Sequence, residues 1–157
     1  KGGGFAGGFN NTSPTSSVFS LGNSNETNRS SGNFITYCFS EVAGYSKFGS
    51  YSANGSSDGP FVFTGFRPAW ILIKNADLGQ PWVLMDNKIN PHNLADTRLS
   101  PSSSAAESTG ADNYIDILSN GFKVRSPGSS DINYSTSYPT HIYLAFAESP
   151  FKNARAR

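Results

Sequence analysis

Five side chains stand close together in the chain with the chemistry of a sugar site: Trp82, Asp86, Asn87, Asn90 and His92. An aromatic face stacks on a pyranose ring, while amide, carboxylate and imidazole groups fork onto its hydroxyls. The alternative is structural, with Trp82 in a core and the others capping turns. A polysaccharide-cutting site would instead need two carboxylates roughly 5 to 10 Å apart across a cleft. The candidates are Asp86, Asp96, Glu107, Asp112 and Asp116. Nothing in their spacing pairs them. Hydrolytic chemistry through an activated serine lacks its Gly-x-Ser-x-Gly elbow, and neither His92 nor His141 has a nucleophile at a telling distance. His141 opens an apolar run and reads as an edge or packing residue. The stretches 54–58 and 112–116 offer oxygen ligands that could take Ca²⁺, but neither has the spacing of an EF-hand loop, and Asn/Asp-Gly turns need no metal. No other cofactor and no metal site is expected, and the chain does not read as an enzyme.

The elements that must position these groups are strands. The densest apolar stretch is 59–75, GPFVFTGFRPAWILIKN. It reads as two buried strands, 60–64 and 69–74, joined by a tight corner at 65–68 and forming the middle of a sheet. Further strands are expected at 18–21, 34–40, 45–51, 82–86, 114–118, 122–125 and 141–147. Ser119-Asn120-Gly121 joins two of them as a hairpin, with Asn-Gly favouring a type I′ turn. The segment 87–110 is a long loop, the kind that does a job or covers an edge. No helical period persists beyond a turn or two. The expected fold is all-β, an antiparallel β-sandwich of jelly-roll or lectin-like type, with about nine strands and little or no helix.

Composition agrees. Aromatics reach 13% while charged residues are only 15%, so the polarity comes from Ser, Thr, Asn and Gly. That balance suits thin β-layers in extracellular or virion proteins. A net charge of +1 creates no field that would draw nucleic acid or an anionic membrane. The single cysteine, Cys38, allows no internal disulfide and reads as a small core residue.

The chain also echoes itself. Residues 35–41, ITYCFSE, line up with 142–148, IYLAFAE, each after a polar loop and a Phe-containing strand. The organisation expected is a flexible Gly-rich lead-in at 1–8, the back half of a preceding repeat at 9–44, a complete sandwich repeat at 45–152 and a basic tail at 153–157. The strands of the half repeat are expected to join the same sandwich. If they do not, they pair with a neighbouring chain.

The stretches TSSVFSLG, FITYCFSEVAGYSKFGSYSANGSSDGPFVFTGFRPAWILIKN, SSAAE, DILSNGFKVR and HIYLAFAESPFK together resemble a domain of tail-fibre and appendage proteins of tailed phages, marine phages above all. The resemblance covers most of 15–152 and is most specific over 45–75. It implies a virion or extracellular location. It also implies other chains of the same fibre as partners, in a trimer or a filament, and contact with a host-surface glycan or protein follows as an extension of that role. The alternative is a purely structural, self-assembling fibre module, and a third reading is a polysaccharide-degrading enzyme. The resemblance carries no catalytic residue.

Overall fold

The computed structural model describes residues 4–149 apart from 111, 129, 135 and 136. The chain forms two compact units, Lys1–Phe39 and Ser40–Arg157. The larger unit is an antiparallel sandwich. Its strands are β1 (Ser46–Ser52), β2 (Phe61–Phe63), β3 (Pro68–Asn75), β4 (Val83–Asp86), β5 (Thr97–Arg98), β6 (Ser108–Thr109), β7 (Ile115–Leu118), β8 (Gly121–Val124) and β9 (Thr140–Ala147). One sheet has the order β1-β9-β3-β4 and the facing sheet β2-β8-β7, while β5 and β6 form a small separate ribbon.

Period-two alternation builds the core. Ile71 and Ile73 of β3, Val83 and Met85 of β4, and Tyr143 and Ala145 of β9 are buried from one sheet. Val62, Ile115, Ile117, Phe122 and Val124 are buried from the other. All belong to a single cluster, so two inner faces close on one another as a sandwich. Tyr51 and Tyr143 meet the Phe122 ring edge-on, at centroid distances of 6.1 Å and 5.6 Å. Such edge-to-face contacts suit the ring quadrupole.

The apolar stretch 59–75 is divided between the two layers. β2 pairs with β8, and β3 with β4 and β9, so the corner between them crosses from sheet to sheet. Gly65, at φ 83°, makes that corner, a conformation that costs glycine little. The Thr64 hydroxyl supports it by donating to the Phe66 carbonyl at 2.6 Å. Only the middle residue of β2 is buried. Phe61 is 46% exposed and Phe63 is 62% exposed. Both point outward because one face of this sheet is open to solvent.

The hairpin β7–β8 forms as expected, but its turn residues are Ser119 and Asn120, since Leu118 pairs with Gly121. Neither has positive φ, so the turn is not type I′. Gly121 serves the sheet instead. A Cβ there would lie 2.1 Å from the Val62 carbonyl oxygen. The freed Asn120 carbonyl accepts from the amides of Thr64 and Gly65, at 3.0 and 3.1 Å.

Two expected strands are not strands. Residues 18–21 and 34–40 join no sheet. Cys38 is exposed, not a core residue. Apolar and β-branched residues show that a segment suits a pleated surface, but a strand also needs a neighbouring edge with free backbone groups. Residues 97–98 and 108–109 form strands where none was expected. The smaller unit also carries two helices, α1 (Gly4–Phe9) and α2 (Asn25–Asn28). α1 replaces much of the expected flexible lead-in, and residues 1–3 of that lead-in lie outside the described residues. The chain folds back on α1, with Gly22 N donating to Gly8 O at 3.0 Å and Ser24 N to Gly7 O at 2.9 Å. The basic tail at 153–157 also lies outside the described residues. No helix among the described residues is long and apolar enough to cross a membrane.

Candidate functional site

The long loop between β4 and β7 covers edges. Leu84 of β4 exchanges both backbone bonds with Leu99, and Ile115 of β7 exchanges both with Ala95, at 2.9 to 3.0 Å. Asn93 extends the second seam with its side chain. Its Nδ2 donates to Ile117 O at 3.0 Å, and its Oδ1 accepts from Ile117 N at 2.9 Å. One flank of the sandwich, bounded by β4 in one sheet and β7 in the other, is thereby closed to further strand pairing.

Two of the five candidate sugar-contact residues use their side chains to hold this loop. Asp86 Oδ1 accepts from Lys88 N at 2.6 Å, an Asx turn at the end of β4. The buried Asn90 donates to Asp86 O at 3.3 Å and Thr97 O at 2.7 Å, and accepts from Asp96 N at 3.1 Å and Thr97 N at 2.9 Å. All four hydrogen-bonding positions of the amide are filled. Asn87 is buried, its backbone N donating to Ala69 O at 2.8 Å, and its Oδ1 has no partner among the described residues. Trp82 is half-buried and precedes β4, with its backbone N donating to Ser102 Oγ at 3.2 Å. The strand's rise of roughly 3.3 Å per residue puts Trp82 at the opposite end of β4 from Asp86. His92 is exposed on the loop. The fold thus gathers Asp86, Asn87 and Asn90 at one corner, and leaves Trp82 and His92 with accessible surface.

A second polar centre, not anticipated from sequence, anchors the 126–139 loop. His141 is fully buried and stacks on Tyr51 at 5.2 Å between centroids. Its Nδ1 lies 3.0 Å from Pro139 O, and its Nε2 lies 3.2 Å from Asp131 O and 3.3 Å from Asn75 Nδ2. Burial lowers its pKa, against the smaller raising effect of the two carbonyls. The Tyr51 hydroxyl donates to Ile132 O at 2.6 Å, and burial pushes its pKa well up. Asn133 is buried with all four positions filled, donating to Ser56 O and Ser126 O at 2.7 Å and accepting from Asn54 N and Gly55 N at 3.1 and 3.3 Å. An ion pair of Arg98 with Asp131 ties the same loop to β5. Such a set orders loops, and of its named side chains only Arg98 keeps a buried nitrogen, Nε, without a partner among the described residues.

The oxygen-rich turn at 54–58 is likewise engaged. Asn54 Oδ1 accepts from Ser56 N at 3.0 Å, and Asp58 pairs with Lys123 at 2.8 Å. That pairing holds the Asp58 carboxyl below its usual range. Asp116 pairs with Arg125 at 3.5 Å. Among the described residues no three His, Cys, Asp or Glu side chains gather as a metal would require.

Two apolar surfaces stand out among the described residues. On the outer face of the second sheet, Phe61 and Phe63 stand across from Lys123 and Gly121. In the smaller unit, Ile35 and Tyr37 are 81% and 79% exposed. A groove of about 470 Å³ in that unit is lined by Val18, Phe19, Thr36 and Cys38 among others, with no charged residue.

No curated protein and no solved structure matches the chain. One family model does match. It covers residues 3–150 and so runs through both compact units. The chain therefore belongs to the DUF7483 family, a domain of unknown function.

Proposed function

We propose that the chain is a non-enzymatic module of a virion appendage, a tail fibre, and that it is built into that appendage by contact with further copies of itself. One observation carries the reading. The segment 34–39 is largely apolar, belongs to no sheet, and presents Ile35 and Tyr37 mostly to solvent. Exposed aromatic and β-branched residues in such a row mark surfaces meant for another chain. The engagement of Asp86 in its own turn and of Asp116 with Arg125 supports the non-enzymatic part. The test is the mass of the chain in solution over a range of concentrations, by sedimentation velocity. Growth of the mean mass with concentration supports the reading, and a monomer throughout refutes it.

A second reading is contact with a host-surface glycan or protein. The observation that favours it is the pair Phe61 and Phe63, a flat aromatic strip on a sheet face beside the charged groups of Asp58 and Lys123.

A further inference from the structure

Strand edges, more than faces, decide how β-proteins associate, because an edge carries a row of backbone groups awaiting partners. The sandwich has four outer edges: β1 and β4 in one sheet, β2 and β7 in the other. The loop 87–110 seals β4 and β7. The edge of β1 is blunted at its start. Ser46 exchanges backbone bonds with Val42, and Glu41 accepts from Phe48 N at 3.3 Å while pairing with Lys47 at 2.7 Å. Further along that edge stand Ser50 and Ser52, small and polar.

β2 is different. Val124 N donates to Pro60 O and Thr64 N to Asn120 O, at 3.0 Å each, so residues 60 and 64 turn their backbone groups toward β8. Backbone groups alternate sides along an antiparallel strand. The amides and carbonyls of Phe61 and Phe63 therefore point the other way, to an edge that no strand covers among the described residues. Their side chains share the outer face and are exposed.

A strand that fits this edge would be extended, apolar on one face at period two, and small on the other, where it meets the buried row of Val62 and Thr64. Residues 35–40 have that pattern. Ile35, Tyr37 and Phe39 alternate with Thr36, Cys38 and Ser40. The same segment aligns with residues 142–147 of β9, where Ile142, Leu144 and Phe146 share the outer face and Ala145 faces the core. It has the sequence of a sheet strand and belongs to no sheet. It also runs without a spacer into Glu41 and Val42, which are fastened at β1 in the other sheet. The acceptor it suits is thus a separate molecule.

We propose that residues 34–40 of one copy add as a fourth strand to the open edge of β2 in a second copy. Ile35, Tyr37 and Phe39 then lie beside Phe61 and Phe63, and cross-strand aromatic pairs replace two exposed rows. The proposal rests on the assembly reading above and names the surfaces that carry it. Donor and acceptor are different parts of the chain, so the contact is head-to-tail. Repetition of such a contact gives a ring or an open filament rather than a twofold dimer.

Two lysine substitutions on exposed side chains test it in the full chain. Tyr37→Lys spoils the donor and leaves the acceptor. Phe63→Lys spoils the acceptor and leaves the donor. Sedimentation velocity is run on each up to about 0.5 mM, because a short strand pair alone holds weakly. The expected result is a mean mass that rises with concentration for the unmodified chain, monomers for each variant alone, and a 1:1 complex when the two variants are mixed. Variants that stay monomeric in the mixture overturn strand addition, as does association that survives Phe63→Lys. In both cases self-association of the unmodified chain leaves the assembly reading standing. An unmodified chain that stays monomeric overturns both.

Discussion

Asn90 fastens the loop that closes one flank of the sandwich, and its removal should be costly out of proportion to its size. Asn90→Ala deletes four hydrogen bonds, of 2.7, 2.9, 3.1 and 3.3 Å, from a residue that is 6% exposed. Three have good geometry and the fourth is long. At about 1 kcal/mol net for each of the three, with little from the fourth, the loss comes to about 3 kcal/mol. Alanine offers nothing to the amides of Asp96 and Thr97 or to the Thr97 carbonyl, which would then need water in a partly buried corner. With a urea slope of about 2 kcal/mol/M, the unfolding midpoint should fall by about 1.5 M. Equilibrium urea unfolding followed by tryptophan fluorescence reads this directly. His92 is two residues away and exposed. His92→Ala should stay within about 0.5 kcal/mol of the unmodified chain. An Asn90→Ala midpoint within about 0.3 M of the original, on the same slope, would show that the four bonds add no net stability and that the edge seal is held by something else.

Other perturbations have equally definite outcomes. The pKa of His141 is lowered in the fold, so its neutral form is the one the fold favours and the unfolded chain takes up a proton first. Stability should therefore be full above about pH 6.5 and fall as the pH drops below it, by at most about 1.4 kcal/mol per pH unit for one proton. Urea midpoints between about pH 8 and pH 5 measure it, and a ring titrating at the ordinary histidine value by NMR would contradict the burial argument. Gly121→Ala sets a methyl against the Val62 carbonyl, where no side chain can give way. It should cost about 3 kcal/mol by thermal unfolding. An unchanged melting temperature would mean that β2 and β8 can slide apart. Tyr51→Phe leaves the buried Ile132 carbonyl without its 2.6 Å donor. That loss should cost about 2 kcal/mol at most, again read from the urea midpoint, whereas no shift would mean that water replaces the hydroxyl.

What could be read in advance was whatever depends on period and local turn chemistry. β3 and β9 carry continuous apolar runs and the β7–β8 hairpin an apolar alternation, and they form where those signals lie. Residues 34–40 carry the same signal and form no strand, because propensity describes a surface a segment would suit and cannot supply the neighbour. FVF at 61–63 reads as buried on both sides, but its strand closes a sheet with one wet face, and only Val62 turns inward. β5 and β6 are two residues each and have no apolar run to announce them. The sugar-contact candidates show the limit for a site. Asp86, Asn87 and Asn90 have side chains that serve sugars and turns equally well, and only the positions of Asp96 and Thr97 decide how Asn90 is used. The His141 centre was hidden for a related reason. Its partners are backbone carbonyls of Pro139 and Asp131, which no pattern of side-chain types records.

The first and last strands of the sandwich pair with each other. β1 lies against β9, with Ser46 opposite Phe146, and the seam begins where Ala147 N donates to Tyr45 O at 2.8 Å. The chain thus enters and leaves the fold side by side. Contacts between residues so distant in sequence are slow to form, so this seam should close late in folding. The same geometry fixes the response to force. Tension applied through the two ends loads the Glu148–Arg67 and Tyr45–Ala147 bonds at the mouth of the seam and then each rung in turn. A module hung this way unzips at low force, while one whose ends leave at opposite poles must shear all its rungs at once.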